Sequence, residues 1–446
     1  MSARDDFLDR FAACRTLLPG ASLPWMQRAR NNAIGHFAEL GLPTTRQEDW
    51  KYTSVAAIER QTFDVGIDER YVEGLDREVA RHALDGAHRL VFIDGRYAAA
   101  LSSVGKIPDG VRVESLAQPI TSSPWRFEEF FADDGDAAPP ANGFSALNAA
   151  FWADGAHVEI GPGIAVEHPI QLLFIATRAN LANFPYNLVR VGAGASATVI
   201  EQYVGVDRTA YLTDAVSRLV IGQGARLAHT KLQQEGDRAF HLAERRVAQA
   251  SGSHFASQSF AFGGRLARDE IATRLDEGCE ASLIGLYVGS GRQHHDQHTC
   301  IDHARPRGTS RESYKGILDD ASRAVFNGRV IVRPDAQLTD AKQSNRNLLL
   351  SDDAEVDTKP QLEIWADDVR CAHGATVGQL DADQLHYLRA RGIDEAAARG
   401  LLTYAFAADI LYAVDDPVLR GRIATLLPGS APEHLGEAEC EMLPTK

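Results

Sequence analysis

One short segment near the end of the chain, Arg370-Cys-Ala-His-Gly-Ala-Thr376, holds the residue types best suited to soft-metal chemistry. In an extended strand, residues two apart share a face, so Cys371 and His373 would stand side by side. A thiolate and an imidazole can both ligate iron or zinc, but two ligands do not close a site. The remaining ligands must come from elsewhere, including from another chain. The competing reading is structural: a small buried Cys and a hydrogen-bonded His inside a coil.

A second constellation is His294-His-Asp-Gln-His-Thr-Cys300. On a strand, His294, Asp296, His298 and Cys300 fall on one face, a mixed-ligand ladder that would suit a cupin-like or other β-fold metalloenzyme. The alternative is a polar strand face stacked on its neighbours. The carboxylates Asp352, Asp353, Glu355, Asp357, Glu363, Asp367 and Asp368 lie among Asn345, Asn347, Thr358 and Gln361. That mixture reads as turn chemistry rather than acid–base catalysis.

Several chemistries lack their signatures. There is no G-x-x-x-x-G-K-[ST] loop to cradle a nucleotide and no G-x-S-x-G elbow for a hydrolase. The five cysteines, at 14, 279, 300, 371 and 440, are scattered, odd in number and free of any C-x-x-C pair. They supply no self-contained cluster cage and no disulfide framework, and they predict a reducing, cytoplasmic setting. The first residues, Met1-Ser-Ala-Arg-Asp-Asp-Phe7, carry acids where a signal peptide would carry basic then apolar residues. No run approaches the roughly 20 apolar residues of a membrane span. The net charge of −15 argues against nonspecific nucleic-acid binding.

The elements that must position these residues follow from the rest of the 446-residue chain. The opening reads as helical, with Phe7, Phe11, Leu17 and Leu18 as an apolar stripe. Ser22 and Pro24 signal a second helix start, and Gly41 with Pro43 its end. Val91-Phe-Ile-Asp-Gly95 reads as a strand and turn, and the Asp/Gly/Ala/Pro-rich stretch from Asp133 to Gly143 as a linker. From about residue 155, short β-rich runs alternate with Gly or Asp turns. Gly194, Gly224, Gly252 and Gly278 recur at the intervals expected of a solenoid coil. No long amphipathic helix separates the runs, which disfavours a βαβ sheet. Periodicity alone leaves a β-helix and a β-sandwich both open. Near Asp381 the period reverts to helical, with Asp394 opening a strong helix through Tyr404, Phe406 and Ile410, and Asp415-Asp-Pro417 opening another.

Asp357-Thr-Lys-Pro-Gln-Leu-Glu-Ile364, Ala366-Asp-Asp-Val369 and Cys371-Ala-His-Gly-Ala-Thr-Val-Gly378 together resemble the signature of the SufB/SufD family of iron–sulfur cluster assembly proteins, closest to its SufD branch. The resemblance continues through Phe326-Asn-Gly328 and Tyr387-Leu-Arg-Ala-Arg-Gly-Ile393, and more weakly at Arg46-Gln-Glu-Asp-Trp-Lys-Tyr-Thr53 and Phe92-Ile-Asp-Gly95. It implies a mainly β fold, a right-handed parallel β-helix (solenoid) over 141–380. An N-terminal helical domain with its linker over 1–140 and a C-terminal helical domain over 381–446 would flank it. It also implies a non-catalytic scaffold that pairs with SufB and with two copies of the SufC ATPase. His373 matches a ligand position for a transient iron–sulfur cluster shared with SufB, Cys371 matches a Cys of less defined role, and the chain alone holds no stable cluster. The C-terminal helices would dock SufC, with Tyr404 and Phe406 as aromatic anchors. These lie two positions apart, roughly 200° around the helix, so at most one is central to the contact and the other is core. Two β-helices can also join edge to edge, so a homodimer of the isolated chain is a further expectation.

Overall fold

The computed structural model describes residues 2–66, 74–131, 142–205 and 209–429. Most of the stretch read as a linker, residues 133–141, lies outside them. The chain begins with two helices, α1 (Ala3–Cys14) and α2 (Pro24–Leu40). Ser2 caps α1 in a reciprocal capping box with Asp5, and Phe7 and Phe11 are buried. Leu17 departs from the expected stripe. It lies beyond the helix end and is 63% exposed, while Leu18 turns inward. Pro24 does open α2, but the residue at its cap is Leu23, not Ser22. A third helix, α3 (Gly143–Phe151), packs on α2. Its Phe151 meets Phe7, Phe11 and Phe184 ring to ring.

The centre of the molecule is a parallel β-solenoid. Eight coils contribute two strands each: β1 (Ala156–Ile160) and β2 (Ile170–Ala176); β3 (Tyr186–Val191) and β4 (Ser196–Gly205); β5 (Leu212–Ile221) and β6 (Arg226–Gln234); β7 (Phe240–Gln249) and β8 (His254–Ala261); β9 (Leu266–Leu275) and β10 (Glu280–Gly289); β11 (His294–His303) and β12 (Thr309–Leu318); β13 (Arg323–Val332) and β14 (Asp340–Leu349); β15 (Glu355–Ile364) and β16 (Arg370–Gly378). Odd strands pair with odd and even with even, giving two facing sheets. Register repeats after 26 residues at its shortest, Phe240 to Leu266, and after 32 from Arg323 to Glu355. Within most strands, buried positions alternate with less buried ones, the period of a sheet with one face inward.

The corners explain the glycine spacing. Gly194, Gly224, Gly252 and Gly278 each sit two residues before an even strand, with φ between 64° and 68°. Glycine reaches this left-handed conformation without steric cost. The same corner of the next two coils is made by Arg307 and Leu338, at φ 63° and 62°.

The first coil is closed off. Strand His88–Ile93 pairs in parallel with β2, and Val111–Ser115 lies antiparallel to β1. Phe92, Phe174 and Tyr203 stack through successive layers at 4.8 Å between ring centroids. Among the described residues, the last coil has no such cover. β15 and β16 end their sheets, and most of β16 is exposed. Helices α4 (Ala382–Ala390), α5 (Glu395–Tyr412) and α6 (Pro417–Ala424) follow, capped by Asp381, Asp394 and Asp416. Helix α5 returns along the even sheet. Its Ile410 and Leu411 join Leu232, Phe260, Leu286 and Ile317 in one buried cluster.

Candidate functional site

The parallel register decides which side chains meet. In the even sheet, Ala341 pairs with Cys371 and Gln343 with His373. Ala341 and Gln343 are buried toward the lumen, so Cys371 and His373 continue that inward-facing row onto the uncovered coil. Cys371 is half-buried against the apolar core, whereas His373 is exposed. Burial pushes the Cys371 thiol up, partly offset by the Ala341 backbone. Around this pair the terminal coil exposes Ile364, Trp365 and Val377. Edge β15 carries Pro360, Lys359 and Glu363, residues that discourage strand addition, but β16 has neither Pro nor Lys.

The lumen below this coil changes character along its length. It starts apolar and aromatic and then admits charge. Glu201 accepts from Ser217 and Tyr203 and lies 3.1 Å from His229, all buried. Burial pushes this carboxyl up, but His229 and the two hydroxyls hold it down to about 2. Asp269 binds Arg245 at 2.5 Å and Lys231 at 3.2 Å. Burial again raises its pKa, and these two cations take it well below the carboxylate range. Higher up, Glu312 accepts from Thr299 at 2.5 Å and from Gln343 at 2.9 Å. It meets no cation, and burial pushes it up to about 7. Near the open end, Asn345 donates to Tyr287 and accepts from Thr358 of β15.

The His294–Cys300 face lies on the outside of the odd sheet and is already occupied. The Thr53 hydroxyl donates to Asp296 at 2.6 Å and lies 2.9 Å from His294 Nε2. Arg268 donates to Asp296 at 2.5 Å and stacks on Trp50, 3.8 Å from the ring centroid. His298 Nε2 is 2.9 Å from Asp296. Burial raises the Asp296 pKa, but Arg268 and His298 drive it far below the usual range. Burial pushes the Cys300 thiol up to about 11, away from the thiolate a metal needs. Among the described residues, no three His, Cys, Asp or Glu groups have metal-holding geometry. The face instead bonds the Arg46–Thr53 segment to the solenoid and borders a cavity of about 390 Å³ lined by Trp50, Arg268, Cys300, Arg329 and Lys359. Its cations are matched, Lys359 by Glu48 and Arg329 by Glu363. Sequence reading missed this strap because its two halves lie 243 residues apart from Thr53 to Asp296.

Tyr404 and Phe406 are both half-buried and both pack against the cluster under α5. The Phe406 ring lies 4.8 Å from the Lys315 ammonium, and that ammonium also pairs with Asp409 at 2.5 Å. Both rings thus contribute to the packing under α5. The more exposed aromatics of this region are Tyr387 and Tyr412. Of the carboxylates read as turn residues, Glu355, Asp357 and Glu363 lie instead on strand β15; in the turn before it the Asp353 backbone N–H donates to the Ser351 hydroxyl. Glu363 is in an outward ion pair with Arg329.

An eight-coil β-solenoid, covered at one end and presenting a thiol and an imidazole on an uncovered edge at the other, defines a scaffold-type architecture. The family models name it. Residues 174–406 match the SufBD core domain of SUF-system FeS cluster assembly, and residues 1–172 match the SufBD protein N-terminal region. The chain belongs to the SufBD family, with a role in iron–sulfur cluster assembly. It is 34% identical to the iron–sulfur cluster assembly protein SufD of Escherichia coli, over 88% of this chain and 90% of that one. A SufBD family protein of Synechocystis is 32% identical over 88% of each chain. SufD of Bacillus subtilis is 24% identical over 87% and 90%. No helix among the described residues is long and apolar enough to cross a membrane.

Proposed function

We propose that the chain is a non-catalytic scaffold subunit that completes its assembly site only with a second family member. The observation that carries this reading is the uncovered terminal coil, where β16 offers an unguarded edge with Cys371 and His373 in one inward-facing row. Two ligands leave a site open. A SufB-type solenoid added at this edge would supply backbone partners for β16 and the missing soft ligands. The nascent cluster is then cargo built between two chains, not a resident cofactor of either. No nucleotide loop is present in the sequence, so the driving hydrolysis belongs to a SufC-type ATPase. The C-terminal helices are its docking surface in this reading, with Tyr404 or Phe406, beside the more exposed Tyr387 and Tyr412, as contacts.

The test is cluster content per assembled complex, measured as iron and sulfide after anaerobic reconstitution. His373→Ala should leave the melting temperature and complex assembly intact and lower content by an order of magnitude, the usual range for loss of a metal-site group. His373→Cys should retain more than His373→Ala, because thiolate also binds iron. Unchanged content in His373→Ala would remove this residue from the mechanism.

A further inference from the structure

The row that ends in His373 has an unexplained member. Glu312, Gln343 and His373 occupy one register position in three successive coils. Adjacent members are separated by the strand spacing of about 4.8 Å. Gln343 is 3% exposed, and its Nε2 donates to Glu312. Its carbonyl oxygen, Oε1, is buried and has no hydrogen-bond partner. An acceptor left so is costly unless something outside the chain's own bonds uses it. The amide is also held in place from the side. Across the lumen, Gly328 stands in register with Thr299, which donates to the other oxygen of Glu312. A Cβ at Gly328 would lie 2.3 Å from Gln343 Nε2. The glycine of Phe326-Asn-Gly328 thus leaves the space in which the amide sits.

We propose that Gln343 is the positioning residue for His373: with the ring turned inward along the row, the amide carbonyl oxygen accepts the imidazole N–H and the other ring nitrogen faces the incoming iron. The inference deepens the reading of His373 as a cluster ligand and rests on it. Glu312 accepts from Thr299 on one oxygen and from the Gln343 amide N–H₂ on the other, which turns the amide oxygen away from it. The next side chain in the row is His373, whose ring makes no hydrogen bond among the described residues. A ligating imidazole is ordinarily held through its second nitrogen by an acceptor of this kind. Neither Gln343 nor Glu312 would touch the cluster.

The experiment uses the full chain with ¹⁵N-labelled histidine, the His373 signals being assigned by their loss in His373→Gln. The wild-type ring should show one tautomer at neutral pH. Gln343→Met, close in volume, should release it to the mixture of a free imidazole. Gln343→Asn, too short to span both neighbours, should do the same and serves if the Met variant does not fold. Gln343→Glu, which keeps an oxygen acceptor, should retain the single tautomer. A folded Met or Asn variant with the wild-type tautomer overturns the proposal. In the assembled complex, Gln343→Met should reduce cluster content roughly tenfold. If His373→Ala lowers content and Gln343→Met does not, the positioning role alone fails. If His373→Ala has no effect, the ligand reading fails, and the tautomer spectra still decide the hydrogen bond.

Discussion

The two ends of the solenoid are built from the same repeat and solve opposite problems. At the first coil, extra strands cover both sheets, one in each pairing sense, and Phe92, Phe174 and Tyr203 stack into a dry column. At the last coil, the edges are bare and the inward row is Thr358, Cys371 and His373 rather than aromatic. Between them the lumen trades apolar packing for paired charge. The contrast teaches that hydrophobic burial anchors one end, while the other keeps an exposed row that holds a thiol and an imidazole. A repeat array of this kind draws its stability from neighbour interfaces, and the terminal coil lacks one.

The sharpest way to break this comparison is to remove equivalent bulk at both ends. Leu172→Ala, in buried β2, should cost about 2–5 kcal/mol in denaturant unfolding, the range for truncating a buried leucine. Leu362→Ala, in half-buried β15, should cost about 1 kcal/mol or less. Equal losses would mean that the two ends are energetically alike.

The interior charges sharpen it next. With its pKa raised to about 7, Glu312 binds a proton in the folded chain that it has lost when unfolded. Its contribution is therefore fully present below about pH 4.3, the free Glu value, and is lost as pH rises to about 7. Over that window the stability of the wild type should fall relative to Glu312→Gln by roughly 3 kcal/mol. Paired melts at pH 4.5 and 8 would show this, and a constant difference between the two proteins would contradict it.

The smallest effect belongs to the outer face of the open end. Glu363 pairs with Arg329 on the surface of the sheet. Glu363→Gln should change stability by less than about 0.5 kcal/mol, shrinking further in 0.5 M salt, as exposed ion pairs do. A loss above 1 kcal/mol, insensitive to salt, would show that the last coil depends on charge more than its exposure suggests.

Much of the scaffold is readable from local signals, because local chemistry dictates it. Six successive corners take a left-handed residue, and in four of them it is the glycine that recurs with the coil. Each C-terminal helix needs an acceptor for its first amides, so Asp381, Asp394 and Asp416 mark the starts. The pairing of Cys371 with His373 on one face follows from strand period alone. The rest depends on register, which no window of sequence contains. Asp269 and Arg245 look like surface residues until two coils are stacked and each neutralises the other. Asp296 looks like a metal ligand until Thr53 and Arg268 arrive from distant segments. Gln343 has no visible role until Glu312 lies under it and His373 over it. Leu17 fails in the other direction, since the helix stops at Cys14 and the chain turns it outward.

The corner residues carry one more consequence. Four early corners use glycine, but the two that precede the last coil use Arg307 and Leu338 in the same left-handed backbone. A residue with a Cβ gives up roughly 1–2 kcal/mol in that conformation. Leu338 is also 55% exposed and recovers little of this by packing. At this one corner of the repeat, the backbone cost therefore falls on the two coils that carry Arg307 and Leu338, while the four coils before them meet the same turn with glycine at no such cost.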